Sequence, residues 1–441
     1  MSKQSFLTVK QFFETQFRPF AIYDSERSIA SAIDGQKITM RKVLYTCALK
    51  NVTNEIKVAQ LASSVAFETA YHHGEAGIGG VICNMAQNYP GANNINLLEP
   101  IGQFGSRLNP TPAAARYIFT KMTKTFRELF KKDDDLVLEF NYDDEQKIEP
   151  KYYVPILPVV LINGTHGIGT GFASKVLSYN PADIKADILN KLNGKKRTPL
   201  VPWFKGYQGE ITKGENENQW VFKGKLEVVN TTTIRITELP IGTYLDDIKA
   251  TLNKLQEIGF IKDYDDDSSE DQFNITISAP RSTTMIEIDK LCEKFKLITR
   301  DTENLTLWAH NNKLRVFKDT ATLIDYFVDF RIGKYEERRR ILMKMTEEDI
   351  LWINEKIRFI NFYLANHQKF KNTAKKELID LLLANNFERY SELLSMQLWV
   401  LTKDRIDELE NELQSKLDYL NTLESTTPEK MYQQELKELK L

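Results

Sequence analysis

Pro110-Thr-Pro-Ala-Ala-Ala-Arg-Tyr-Ile118 places an Arg-Tyr pair just after two prolines and just before a dense run of basic residues. The prolines bar a helix from entering upstream, Thr111 can cap a new one, and Pro112 suits a first turn. A helix is therefore expected from about Ala113. Ile118, Met122, Phe126, Leu129 and Phe130 would then form its apolar face. Its other faces would carry Arg116, Lys121, Lys124, Arg127, Lys131 and Lys132. A phenol beside a basic stripe suits phosphate handling. On this segment alone, the bland alternative is a half-buried packing tyrosine with a solvated lysine face.

Upstream, Arg27-Ser-Ile-Ala-Ser-Ala-Ile-Asp-Gly-Gln-Lys-Ile-Thr-Met-Arg-Lys-Val-Leu44 contains an Asp34-Gly35 turn signal. A helix follows over Arg41 to Lys50, whose start presents Lys37, Arg41 and Lys42 together. A second helix is expected over about Asn54 to Tyr71. A third runs from Glu75 to Asn88 and is weakened by Gly77, Gly79 and Gly80, at about 1 kcal/mol each relative to alanine. His72 and His73, between these two helices, can hydrogen-bond a phosphate or move a proton, or be satisfied by turn backbone. No Cys or acidic neighbour has metal-ligand spacing to them, so no metal site is expected.

Downstream, Val159 to Ile162 precedes Asn163-Gly-Thr-His-Gly-Ile-Gly-Thr-Gly171. The glycines invite a dinucleotide-loop reading, which fails because the next helix signal, Asn180-Pro-Ala-Asp183, comes nine residues after the last of them. Ile168, flanked by glycine, is either an apolar wedge able to enter a DNA base step or an ordinary loop isoleucine. Residues 205–317 alternate strand-like runs with two helices and read as a separate α+β module. Within it, Asp263 to Asp271 is expected as a solvated acidic loop. From Thr320 the chain is almost all helix, with a long stretch to about Phe370 and a return marked by Ile406, Leu409, Leu413, Leu417 and Leu420. Arg338 to Arg340 are expected on the solvated face of that helix.

The 441 residues allow about three domains, and no apolar run approaches a membrane span. Cys47, Cys83 and Cys292 are too few and too scattered for a disulfide framework or a zinc site. A cytoplasmic protein is expected. With 59 basic and 61 acidic residues the net charge is −2, so any nucleic-acid surface must come from segregated charge.

Taken together, these stretches resemble the breakage-reunion subunit of type IIA DNA topoisomerases: the A subunit of DNA gyrase, its topoisomerase IV counterpart, and most closely the medium subunit of T-even-type bacteriophage enzymes. The likeness rests on Arg27 to Val43, Tyr71-His-His-Gly74, Met85-Ala-Gln87, Phe104-Gly-Ser106, Ala113-Ala-Ala-Arg-Tyr117 and Pro158 to Ala173, all in family order. The resemblance implies that Tyr117 is a nucleophile forming a 5′-phosphotyrosine and that Arg116 braces the scissile phosphate. Arg27, Lys37, Arg41, Lys42 and His73 would line the cleavage site, with His72 and Lys121 also facing DNA, and Ile168 would intercalate. It implies an α+β multidomain fold: a winged-helix DNA-cleavage domain (1–160), an α+β tower (161–318), and a long antiparallel coiled coil (319–441) with a helical dimer gate at about 373–400. It also implies double-stranded DNA as substrate, a homodimer through the winged-helix face and the gate, and a partner subunit whose ATPase and toprim domains bind ATP and Mg²⁺. Where bacterial enzymes have Tyr-His-Pro-His-Gly this chain has Tyr71-His-His-Gly74, and Met40 replaces a histidine. Ala76 and Gly80 stand at positions that anchor quinolones in bacterial enzymes, so weak quinolone sensitivity is expected. The chain stops after the coiled coil without the DNA-wrapping pinwheel of gyrase, which favours relaxation and decatenation over supercoiling. A non-catalytic DNA-binding scaffold is the alternative.

Overall fold

The computed structural model describes residues 7–71, 73–371 and 373–440. The chain divides into two compact units, one of residues 1–331 with 435–441 and the other of residues 332–434. None of the described helices is long and apolar enough to cross a membrane.

The first unit is mixed α+β. Helices Arg18–Ser28, Ile38–Leu49, Val58–Glu68 and Glu75–Ala86 come early. The last three pack through Val43, Leu44, Val58, Leu61, Val65, Ile78 and Ile82, all buried. A hairpin of Phe140–Asp143 with Gln146–Pro150 follows, and a second pairs Thr165–Gly169 with Phe172–Val176. The helix from Pro181 is capped by the Asn180 side chain and ends at Leu192, just before Asn193-Gly194.

The α+β module holds a four-stranded antiparallel sheet in the order Asp263–Asp266, Ile275–Ser278, Thr233–Glu238, Lys225–Asn230. Helices Leu245–Glu257 and Ile288–Lys294 bury Ile248, Leu252, Leu291 and Cys292 against Ile234, Ile236, Ile275 and Ile277. The expected acidic loop is therefore an edge strand at its start. Tyr264 pairs with Ile277 while its acidic neighbours face water, and charges along an edge discourage pairing with another chain. Arg107 ties the early helices to this module, donating to Glu238 and to the Leu239 carbonyl, the latter at 2.7 Å.

In the second unit, the helix that begins at Thr320 continues to Phe370 with a kink at Asn366, where the backbone leaves the helical region, and Lys403–Ser425 returns. A core of Ile353, Phe359, Ile360, Leu382, Phe387, Leu393, Ile406 and Leu409 joins both to the short helices between them. Arg338 is buried here, 2% exposed and over the Tyr335 ring at 4.6 Å, not on a solvated face.

The largest departure from expectation concerns Tyr117. No helix starts at Ala113: Ala115, Arg116 and Tyr117 form a turn, and Phe119–Thr120 is a short strand paired with Ile56–Lys57. The chain at Ile118 and Phe119 is held extended by bonds from Val58 N to Ile118 O (3.0 Å) and between Ile101 and Phe119. β-Branched and aromatic side chains suit that ladder better than a helix. The helix of this region is only Lys124–Leu129, so no continuous basic helical face exists. The same pairing shortens the second helix, which begins at Val58 because Ile56 and Lys57 belong to a strand.

Candidate DNA-cleavage site

Tyr117 is 70% exposed. Its amide donates to the Ala114 carbonyl at 2.9 Å, closing the turn that lifts the phenol clear of the surface. Beneath it the turn is pinned: Ala59 N donates to Ala115 O at 3.1 Å, Ala113 N to Gln103 O at 3.0 Å, and Gln87 Nε2 to Pro110 O at 3.1 Å. A methyl added at Gly79 would touch the Ala115 side chain at 3.8 Å, so the glycine-rich helix Glu75–Ala86 runs beside the turn. The Arg116 guanidinium is exposed and lies 5.8 Å from the centre of the Tyr117 ring. A free phenol with a cation alongside, on a backbone bonded on several sides, is suited to meet a phosphodiester without rearrangement.

The start of the same helix carries a second group. His73 precedes Gly74, packs edge-on to Tyr71 with centroids 5.5 Å apart, and shares a short hydrogen bond between its Nε2 and the Tyr23 hydroxyl. The Arg27 guanidinium sits 5.6 Å from the Tyr23 ring. A methyl at Gly77 would lie 3.6 Å from the Tyr71 hydroxyl, so this group and the Tyr117 turn adjoin successive stretches of one helix. Tyr23 does not stand out in the sequence, although its place four residues before Arg27 on a helix puts the two side chains on one face. His72 lies outside the described residues.

Lys37, Arg41 and Lys42 do not form the shared exposed basic face expected of them. Arg41 is buried, its Nε donating to Asp34 Oδ2 at 2.7 Å and its Nη2 to Gln36 O at 2.9 Å. Lys42 is buried against Glu149 Oε2 at 2.8 Å and Thr69 O at 2.9 Å. The helix Ile38–Leu49 is enclosed on all sides over Arg41 to Leu44, and a buried cation requires a partner. Burial raises the Asp34 carboxyl above the usual range, opposed by Arg41 and by the amides of Gln36 and Tyr153. Lys37 is half-buried, which lowers its ammonium pKa, and it donates to His166 O at 2.7 Å. Lys121 is partly exposed, 3.5 Å from Glu99.

Ile168 is 72% exposed, not on a loose loop but in the hairpin strand Thr165–Gly169. The hairpin lies on the helix Arg18–Ser28 so tightly that a Cβ at Gly167 would fall 1.9 Å from Ser28 O, and one at Gly169 3.0 Å from Ser25. Thr170 Oγ1 donates to Asp24 Oδ2 at 2.8 Å at its tip. The glycines thus serve close backbone approach, and the hairpin presents Ile168 rigidly. Among the described residues no group of three or more His, Cys, Asp or Glu side chains could hold a metal ion.

The family model for the A subunit of DNA gyrase/topoisomerase IV matches residues 27–440. The chain belongs to that family. It is 34% identical to DNA topoisomerase 2-alpha of Rattus norvegicus over 98% of this chain and 31% of the relative. It is 37% identical to DNA topoisomerase 2 of Arabidopsis thaliana over 87% of this chain and 27% of the relative. The chain therefore spans about a third of the length of these relatives. It superimposes with a TM-score of 0.91, at 34% identity, on the crystal structure of the Plasmodium falciparum topoisomerase II DNA-binding, cleavage and re-ligation domain, covering 98% of this chain and 64% of that one. The α+β architecture and its long helices are those of this type IIA cleavage domain.

Proposed function

We propose that this chain is the DNA-cleaving and resealing part of a type II topoisomerase, with Tyr117 as its nucleophile. The observation that carries this reading is the exposed Tyr117 phenol on a pinned turn with Arg116 beside it. Tyr117 Oη attacks the backbone phosphorus, a phosphorus–oxygen bond to tyrosine forms, and the bond to the 3′ oxygen breaks. The phenolic proton leaves to solvent or a nearby base, and the departing 3′ oxygen takes one up. One phosphodiester replaces another, so resealing needs no further energy input. Arg116 stabilises the charge that grows on the phosphate oxygens.

The Arg27–Tyr23–His73 group is assigned a neighbouring phosphate, and Lys121 a place on the approaching backbone. Arg41 and Lys42 would reach DNA only by exchanging Asp34 and Glu149 for phosphate. In the bound state Lys37 steadies the Ile168 hairpin, and Ile168 enters a base step to bend the duplex. The domain division proposed is a cleavage domain to residue 160, a tower to 318 and a coiled coil with its dimer gate beyond. Two copies, one for each strand, form the working unit.

ATP and Mg²⁺ are assigned to a partner subunit or segment carrying ATPase and toprim domains. Support for a partner comes from the amino-terminal helices, where Phe12, Phe13, Phe17 and Phe20 are all exposed, an apolar face expensive to leave in water. The shortened Tyr71-His-His-Gly74 supports a bacteriophage-type subunit within the family. The test mixes the chain with that partner, Mg²⁺ and supercoiled DNA and quenches with detergent. A covalent protein–DNA adduct that Tyr117→Phe abolishes is expected, whereas intact DNA binding with no adduct in wild type would leave a scaffold.

A further inference from the structure

The two faces of the Thr165–Val176 hairpin differ in kind. Gly167 and Gly169 lie against the helix Arg18–Ser28, and Ser174, cross-strand from Gly167, is buried on that same face. His166, Ile168 and Ala173 are exposed. Ile168 pairs directly with Ala173, and His166 with Lys175, so these four side chains share the outward face. Lys175 is drawn off into an ion pair with Asp301. His166 is therefore the polar side chain on the wedge's own strand, two residues away, a separation of about 7 Å. Its backbone is fixed, with the carbonyl held by Lys37 Nζ at 2.7 Å and the next residue locked against Ser28. The imidazole has no hydrogen-bond partner among the described residues.

We propose that His166 donates a hydrogen bond to a base-edge acceptor in the minor groove, one or two pairs from the step that Ile168 opens. This rests on the reading of Ile168 as a wedge. The physical ground is a division of labour. An apolar wedge selects only for steps that unstack easily, which is a preference for deformability. A ring N–H is a donor in either protonation state, and the minor groove offers it the acceptors N3 of adenine and O2 of thymine, whereas guanine places its own amino donor there. Two base steps span about 7 Å, matching the distance from wedge to imidazole. The hairpin thus bends the duplex with Ile168 and selects an A·T pair beside the bend with His166.

The test uses the full chain and a pool of duplexes randomised around a central step, sequenced after selection for binding, with the bend of labelled duplexes measured by energy transfer. Wild type is expected to enrich A·T at one pair beside the central step. His166→Ala should flatten that enrichment by roughly twofold to tenfold, the worth of one hydrogen bond, while keeping the bend, and His166→Gln should restore part of it. Unchanged enrichment in His166→Ala would overturn the proposal. So would a uniform loss of affinity with a shallower salt dependence, which marks a phosphate contact. In the same assay an Ile168→Ala variant that still bends DNA would sink the wedge reading itself, a failure seen in the bend and not in the enrichment.

Discussion

At the scale of single residues, buried charges separate structural cations from those free to meet DNA. Asp34 is fully buried and holds Arg41, Gln36 and the Tyr153 amide at once. Removing it in Asp34→Ala leaves the Arg41 guanidinium buried without its carboxylate, a loss of about 3–5 kcal/mol. Denaturant unfolding should show a lower midpoint of that size, and a change under about 1 kcal/mol would mean that Arg41 finds water instead. Glu303 makes a second such case. It accepts from Leu177 N at 2.9 Å and from the Tyr179 hydroxyl at 2.7 Å, yet burial raises its carboxyl pKa above the usual value. A carboxyl raised in the folded state contributes stability below its unfolded pKa, near 4.5, and that contribution is lost as pH rises through the folded value. Wild type should therefore lose stability relative to Glu303→Gln as pH rises above about 4.5, as read by unfolding at each pH, and a difference constant with pH would contradict this.

At the scale of elements, the hairpin at Ile168 depends on the absence of side chains beneath it. Gly167→Ala would drive a methyl into the Ser28 carbonyl, so the hairpin must move. A cost of about 1–3 kcal/mol is expected, together with loss of DNA bending out of proportion to any loss of binding, measured by energy transfer across a duplex. In the second unit, Leu409 is fully buried among Ile353, Phe359 and Ile406, and Leu409→Ala should cost about 2–5 kcal/mol in unfolding of that unit. The threes-and-fours repeat of leucines makes that helix legible in the sequence, and Asn180 likewise marks the start of the helix Pro181–Leu192. The helix expected from Ala113 is absent because Ile118, Met122 and Phe126 have helical spacing by accident. What decides their conformation is pairing with Ile56–Lys57 and Ile101, partners distant in sequence. Arg41 and Lys42 mislead for a related reason. A lysine or arginine shows its charge in the sequence, but the acid that consumes it, Glu149 for Lys42, is 107 residues away.

For the whole molecule, a net charge of −2 means that binding to a polyanion depends on where charge is displayed. Arg116 is exposed beside the phenol, whereas the acids of Asp263–Asp271 lie in the α+β module. The motifs that carry the family likeness are scattered over residues 27–173, and the fold gathers two of them, Tyr71 to Gly74 and Ala113 to Tyr117, along one glycine-rich helix. In the proposed reaction the Tyr117 phenol takes the DNA strand. The most direct measurement of this traps the cleavage complex formed with Mg²⁺ and the ATPase/toprim partner, digests protein and DNA, and locates the residual nucleotide by mass spectrometry. A nucleotide joined through its 5′ phosphate to the peptide containing Tyr117 is expected. A nucleotide on any other residue, or a 3′ linkage, would contradict it.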